Sequence, residues 1–216
     1  MKAPFLSHRM IVVSIFILLY FSGTNAMAIE KAKYTVLETE SDFELRQYAP
    51  RIVAETMVEG DFEKVGNEGF RRLYDYISGN NRKNQSIAMT APVTQESESE
   101  KIAMTAPVTQ ARADNKWRIT FMMPTEYSLE NLPAPVDERV VIKQEPGKRV
   151  AAIKYSGTWS KSRYEEKKVL LEEFIARRGL KIIGEPIWAR YDPPFMPWFL
   201  RRNEVLISVD GASNVE

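Results

Sequence analysis

The sequence predicts an α+β domain with an antiparallel sheet, built from a duplicated strand–helix–strand unit. Two segments show the 3.6-residue apolar period of a helix, and about eight short segments have the composition or alternation of strands. Two runs align when Gly60 is placed on Gly157, which also pairs Val53 with Val150. Each run leads into a helical pattern that ends at a glycine, which indicates the duplication.

Residues 1–28 are interpreted as a signal peptide, and residues 29–216 as a single domain. A basic start that includes Arg9 precedes the apolar run Met10–Phe21, and small residues then allow cleavage after Ala28 or Ala26. A run of about a dozen residues is too short to cross about 30 Å of hydrocarbon. We therefore expect a periplasmic or secreted protein without a stable membrane span after cleavage. The alternative is an uncleaved anchor.

Composition excludes several classes of function. The full chain has a formal charge of +1, which becomes −1 on cleavage because Lys2 and Arg9 leave while all 29 acidic residues remain. Such a balance gives no reason to expect a nucleic-acid partner. The chain has no Cys, and its one His is His8 in the predicted signal peptide. Disulfides, thiol chemistry, His-dependent nucleophiles and the usual zinc sites are therefore excluded from the mature domain, and no metal site is evident.

The strands are predicted from short runs of β-type residues between turn signals. Arg51–Glu59 is the clearest, because apolar or small residues alternate along it. The predicted strands are Tyr34–Glu38, Phe43–Tyr48, Arg51–Glu59, Trp117–Met123, Val140–Lys143, Val150–Tyr155, Glu185–Tyr191 and Glu204–Ser208. A proline-rich loop, Pro124–Pro135, connects the halves.

The first helix is predicted over Glu63–Ile77, with Asp61 as its N-cap. Its apolar stripe consists of Phe70, Leu73 and Ile77. Gly66 and Gly69 on the same side each cost a helix interior about 1 kcal/mol. We therefore expect another element to approach the helix backbone closely at these glycines.

The second helix is predicted to begin at a capping box formed by Ser162 and Glu165 and to end at Gly179. Its apolar stripe consists of Leu170, Leu171, Phe174 and Ile175. Arg177 and Arg178 suit the negative end of the helix dipole.

A nonamer, IAMTAPVTQ, occurs twice, as Ile87–Gln95 and as Ile102–Gln110. Two β-type segments joined by a short acidic spacer predict a hairpin. The proline in each copy removes a donor from the strand ladder, so we expect it at an edge or a bulge. In an alternative interpretation, Met89 and Met104 present their thioethers to a ligand or to the core.

Several motifs in order and spacing resemble the SOUL haem-binding protein family, over about Tyr34–Val209. They are the IAMTAPV segment, Phe121–Tyr127, Arg149–Gly157, and Tyr191–Pro194 leading to Arg201–Val205. The resemblance, to an exported bacterial member, implies a pseudo-symmetric, distorted antiparallel β-barrel with two flanking helices, similar to bacterial effector-binding domains.

The resemblance also implies a ligand, haem or another porphyrin, and a cleft between the first helix and the loop after Tyr191. Carried over by position, the ligand contacts are Phe70, Tyr74, Phe195, Met196 and Trp198, with Arg201 and Arg202 as partners of the porphyrin carboxylates. Structural roles are the alternative: the loop aromatics would pack a rigid loop, Phe70 would belong to the core, and Arg202 would pair with Glu204.

Two positions depart from the family pattern. Some members bind iron through a His, and the predicted mature domain has no His. Axial ligation would therefore need Met, Tyr or Lys, or packing alone would hold the ring. Met196 stands where better-known binders carry a cation.

The sequence therefore predicts a monomeric binding protein for haem or another tetrapyrrole, acting as carrier, buffer or scavenger. A second hypothesis is a binding module for another apolar or amphipathic molecule. A third is a hydrolase-type enzyme with Glu126, Glu185 or Glu204 as the acid, although no spacing identifies an acid–base pair. We favour a protein that is not an enzyme.

Overall fold

The computed structural model describes residues 29–83 and 98–210. The predicted signal peptide and the first copy of the nonamer lie outside the described residues. Within the part of the chain that is described, no helix is both long enough and apolar enough to cross a membrane.

Two long helices and fourteen strands make up the described chain. The helices are α1 (Phe62–Ile77) and α2 (Lys161–Arg177), and a 3-10 turn covers Trp198–Leu200. The strands are β1 (Glu30–Lys31), β2 (Tyr34–Glu40), β3 (Phe43–Tyr48), β4 (Arg51–Val58), β5 (Asn81–Arg82), β6 (Thr105–Ala106), β7 (Val108–Ala113), β8 (Lys116–Met122), β9 (Ala134–Pro135), β10 (Val140–Glu145), β11 (Lys148–Tyr155), β12 (Lys181–Ile182), β13 (Ile187–Arg190) and β14 (Asn203–Asp210).

One antiparallel sheet contains nine strands in the order β10-β4-β8-β7-β13-β14-β11-β3-β2, and β12 pairs with β14. This order is symmetric about the junction of β7 and β13: β10-β4-β8-β7 on one side matches β3-β11-β14-β13 on the other. Because β4 leads into α1 and β11 leads into α2, each half is a strand–helix–strand unit. The predicted α+β fold with an antiparallel sheet, and the duplication of its strand–helix–strand unit, are thereby confirmed.

Each helix covers the inner strands of its own half. The core under α1 includes Leu73 and Ile119, and the core under α2 includes Leu171, Phe174 and Ile207. Gly60 and Gly157, the residues that align the two halves, both adopt a positive φ, +129° and +133°. The backbone there takes a conformation that favours glycine.

The close approach to α1 is confirmed at both glycines. A Cβ atom on Gly69 would lie 2.3 Å from Cγ1 of Ile119 on β8, and one on Gly66 would lie 2.9 Å from Nη2 of Arg190 on β13. The two glycines therefore let α1 lie against side chains of the sheet that would clash with any larger residue.

The start of α2 and one residue of its stripe differ from the prediction. The N-cap is Ser160, whose side chain accepts from the Arg163 N–H, so Ser162 lies inside the first turn and the predicted capping box is wrong. Leu170 is 37% exposed, because the next position, Leu171, faces the sheet and successive residues point about 100° apart. At α1, Asp61 is the N-cap but makes no side-chain cap hydrogen bond.

The second nonamer does not form the predicted hairpin along Val108–Gln110. Strand β7 has β8 on one side and β13 on the other, and a turn at Asp114, with φ +52°, joins it to β8. Both edges of β7 are therefore occupied. Pro107 lies between β6 and β7 and belongs to neither strand, whereas Pro92 lies outside the described residues.

Candidate functional site

A cavity of about 210 Å³ lies between α1 and the segment Arg190–Pro194. Phe70 and Tyr74 form its helix wall, because residues four apart lie on the same face of a helix. Their rings stack at 5.8 Å, and Phe70 also contacts Phe121 edge-on at 5.3 Å. Phe70 therefore belongs both to the core and to the cavity.

The second nonamer supplies another wall, with Met104, Ala106 and Val108. Met104 is half-buried, packs against the core under α1 and also lines the cavity. The interpretation that this methionine faces a ligand site fits its position. Met89 lies outside the described residues.

The loop after Tyr191 closes the third side, where Pro193 and Pro194 line the cavity. Beyond them the chain exposes large apolar side chains: Phe195 is 85% exposed and Trp198 is 57% exposed. The structural alternative, in which these aromatics pack a rigid loop onto the barrel, is therefore wrong for Phe195 and Trp198. Neither they nor the half-buried Met196 is among the lining residues.

Arg201 and Arg202, the predicted carboxylate partners, hold the loop in place and do not line the cavity. Arg201 donates from Nε to the Met196 carbonyl at 2.7 Å and from Nη2 to the Pro194 carbonyl at 2.6 Å. Arg202 donates from Nη2 to Oε1 of Glu204 at 2.7 Å. The structural pair of Arg202 and Glu204 is confirmed.

Glu204 is fully buried and both of its oxygens accept hydrogen bonds. Arg46 donates to them at 2.7 and 3.0 Å, and the Tyr191 hydroxyl donates to Oε2 at 2.8 Å. Burial alone would raise the pKa of Glu204, but the hydrogen bonds and charges of Arg46 and Arg202 outweigh it and lower that pKa. This carboxylate therefore fixes the cavity wall at Tyr191 and stays ionised.

Arg190 and Asp192 are the charged residues of the cavity lining. The Arg190 guanidinium lies 4.9 Å from the Trp188 ring and 5.2 Å from the Trp159 ring. Its Nη2 is buried and has no hydrogen-bond partner. Burial lowers the pKa of Arg190 to about 10, so the side chain remains a cation at neutral pH. An unpaired buried charge normally costs several kcal/mol.

A family model described as "SOUL heme-binding protein" matches residues 29–208. The chain belongs to the SOUL haem-binding protein family. Heme-binding protein 2 of Mus musculus is 26% identical over 196 residues, which cover 84% of this chain and 91% of the relative. Heme-binding protein 2 of Homo sapiens is 27% identical over 172 residues, covering 75% of this chain and 79% of the relative.

Among solved structures, the EcmrR C-terminal domain aligns with a TM-score of 0.57 and 10% identity, covering 83% of this chain and all but 1% of that domain. At such low identity the likeness shows the fold alone. It agrees with the effector-binding-domain architecture that the resemblance implied.

The cavity of this SOUL protein fits one edge of a porphyrin better than a whole ring, since pockets for drug-sized ligands usually measure about 300–1,000 Å³. Its apolar walls suit the ring. Met104 and Tyr74 are lining residues of the types that could ligate a haem iron, while the Tyr191 hydroxyl already donates to Glu204. Within residues 29–83 and 98–210, no cluster of three or more Asp, Glu, His or Cys residues would hold a metal ion by itself.

Sequence reasoning named Phe70 and Tyr74, which line the cavity, but missed Arg190 and Trp159. Alternation along the predicted strand Glu185–Tyr191 was the available signal, because it places Arg190 on the same face as Trp188. A charged residue that shares a face with a buried tryptophan at a strand end indicates a site.

Proposed function

We propose that this protein binds haem or another tetrapyrrole in the cavity between α1 and Arg190–Pro194, and that packing supplies most of the affinity. The observation that carries the proposal is an aromatic and methionine-lined cavity in a chain of the SOUL family. The relatives named heme-binding protein 2 support the same ligand class.

One edge of the ring would enter the cavity, and the projecting part would contact the exposed side chains of Phe195 and Trp198 on the adjacent loop. Removing a few hundred Å² of apolar surface from water, at about 25 cal/mol per Å², contributes roughly 5–8 kcal/mol. Loss of translational and rotational freedom offsets much of this, so we expect a dissociation constant in the micromolar range.

We infer a binding protein and not an enzyme. Among the acidic residues considered for catalysis, Glu126 and Glu185 are exposed, and the oxygens of Glu204 are held by Arg46, Arg202 and Tyr191. No acid–base pair is positioned at the cavity by these three residues.

The test is a titration of untagged protein with hemin and with iron-free protoporphyrin, followed by absorbance and tryptophan fluorescence. Saturable one-to-one binding of both at similar affinity supports a ring held by packing. Binding of hemin alone assigns an axial ligand, for which Met104→Leu and Tyr74→Phe are the matched variants. If neither binds, the proposed function is wrong and another amphipathic molecule becomes the ligand to seek.

We also propose that the protein is exported and serves as a carrier, buffer or scavenger outside the cytoplasm. The apolar run and small-residue cleavage pattern in residues 1–28 support this. N-terminal sequencing of protein made in a bacterial host tests it: a mature chain that starts at Ile29 or Met27 supports export, and an intact N-terminus in the cytoplasmic fraction contradicts it.

A further inference from the structure

We infer that Arg190 is an anchor for an anionic group of the ligand, so that the cavity takes a flat apolar molecule with a carboxylate directed inward. This inference rests on the proposed function, because it names the ligand chemistry of the same cavity. It also reverses the orientation expected from the sequence, in which the carboxylates meet Arg201 and Arg202 at the rim.

Arg190 has no carboxylate partner among the described residues, in contrast to three other covered arginines, Arg46, Arg51 and Arg72. Arg46 binds Glu204 at 2.7 Å, Arg51 binds Glu145 at 2.7 Å and Arg72 binds Glu68 at 2.7 Å. No ion pair to Arg190 forms among the described residues, and its Nη2 donates no hydrogen bond. A desolvated guanidinium in this state can gain a charge-assisted hydrogen bond from a bound anion.

The Arg190 side chain lines the cavity, and its Nη2 is covered on the side that faces α1. The rings of Trp188 and Trp159 lie 4.9 and 5.2 Å from the guanidinium, and Gly66 lets the α1 backbone come close on the other side. Gln110 also faces Gly66, and its Oε1 has no partner. Because that amide is neutral, even a hydrogen bond from Arg190 to it would leave the charge unpaired.

The charges around the cavity favour one ligand orientation. Asp192 is the other charged lining residue, and its Oδ2 accepts the backbone N–H of Arg202 at 2.5 Å, which holds it on the loop. An anionic group near the loop would therefore meet Asp192, whereas one directed inward would meet Arg190. The fixed fork of a guanidinium binds a carboxylate through two parallel hydrogen bonds, so the class of ligand is a planar apolar acid.

The experiment compares acids with their neutral esters: protoporphyrin with its dimethyl ester, and pyrenebutyrate with its methyl ester. A charge-assisted hydrogen bond contributes about 1.5–3 kcal/mol, so wild-type protein should bind each acid about 10- to 100-fold more tightly than its ester. Arg190→Met should remove this preference by lowering the affinity for each acid to that for its ester. Arg190→Lys, which keeps the charge without the fork, should retain part of it.

The matched control is Arg112→Met. The Arg112 guanidinium lies 5.0 Å from the Trp117 ring on the neighbouring strand, so it makes the same type of stacking contact, but it does not line the cavity. This variant should keep the wild-type preference for the acids. Equal binding of acid and ester by wild-type protein would overturn the inference, without any need for a folded variant, and would leave the proposed function standing.

A second result would also overturn the inference: a folded Arg190→Met variant that loses affinity equally for the acid and for its ester. Arg190 would then only support the cavity wall and would not bind the anionic group. If pyrenebutyrate binds with Arg190-dependent preference and neither porphyrin binds, the inference stands and the proposed function fails. If no acid binds at all, both fail.

Discussion

Replacing Gly69 with alanine tests how closely α1 packs on the sheet. A Cβ atom at this position would lie 2.3 Å from Cγ1, 2.7 Å from Cβ and 3.1 Å from Cγ2 of Ile119. Carbon atoms in van der Waals contact are separated by about 3.5–4.0 Å. The Cβ of Ile119 is fixed to the backbone of β8, so no rotamer change relieves the overlap, and α1 would have to move outward by about 1 Å, by comparison with that contact distance.

The expected magnitude is a difference between two opposing effects. Alanine is favoured over glycine in a helix interior by about 1 kcal/mol. Overpacking a closely packed core costs about 1–3 kcal/mol, and the short contacts at Ile119 place this site at the upper end of that range. We therefore expect Gly69→Ala to lower the free energy of unfolding by about 2 kcal/mol.

Urea denaturation followed by circular dichroism measures this change, with the slope m checked for constancy. The control is Ile119→Ala, alone and combined with Gly69→Ala. If the two side chains collide, the double variant should lose at least about 1 kcal/mol less stability than the sum of the single losses. A Gly69→Ala variant that is as stable as wild type would refute the packing geometry at this contact.

The remaining predictions concern the buried ion network, the α2 cap and the exposed loop. Glu204→Gln should cost about 3–5 kcal/mol of unfolding free energy, since it removes the carboxylate that the buried Arg46 and the half-buried Arg202 share and leaves Arg46 only Glu44 as a carboxylate partner. Because the folded-state pKa of Glu204 is lowered, its contribution is complete above the unfolded pKa of about 4.3 and is lost as pH falls below it, so urea midpoints of wild type should fall more steeply in acid than those of Glu204→Gln. Ser160→Ala should lower the free energy of unfolding by about 1 kcal/mol, seen as a lower thermal midpoint, because it removes the N-cap of α2. Ser162→Ala should change the midpoint little, and equal effects of the two variants would contradict the assignment of the cap. Trp198→Ala should weaken porphyrin binding several-fold without lowering the thermal midpoint, because this ring is largely exposed. A clear fall in the thermal midpoint would assign the ring a structural role instead.

The fold was predictable because its signals are local. Apolar period and glycine stops placed α1 within one residue of its start, and the alignment of Gly60 with Gly157 identified the two halves that the sheet order displays. The start of α2 was misplaced because Ser160 and Ser162 are both acceptable cap residues, and only the backbone conformation distinguishes them. The partner of the second nonamer was missed because strand pairing is a long-range choice that a local pattern does not encode.

The site was predictable only in part, for the same reason. Phe70 and Tyr74 were carried over by position from the family resemblance, whereas the contact between α1 and Arg190 joins residues that are far apart in the chain. Arg201 and Arg202 attracted the carboxylate assignment because adjacent arginines near an aromatic loop suit a porphyrin. The structure shows that hydrogen bonds to the loop and to Glu204 already use them. Carbonyl and carboxylate groups of the protein already accept hydrogen bonds from these two arginines, and the composition alone does not indicate which arginine has no such partner.

The divergence of the two halves accounts for the position of the cavity. Leu73, Tyr76 and Ile77 on α1 have the same spacing and burial as Leu171, Phe174 and Ile175 on α2. In this register Gly66 corresponds to Tyr164, since each lies seven residues before the first of its set.

On α2 the Tyr164 ring fills the space between helix and sheet, 5.2 Å from Phe62 and 6.1 Å from Trp188. On α1 the glycine leaves this space to the guanidinium of Arg190, which comes from the other half of the molecule. One half of the duplication therefore fills the interface under its helix with aromatic side chains. The other half exchanges a large side chain for a glycine and gains a cation beside a cavity.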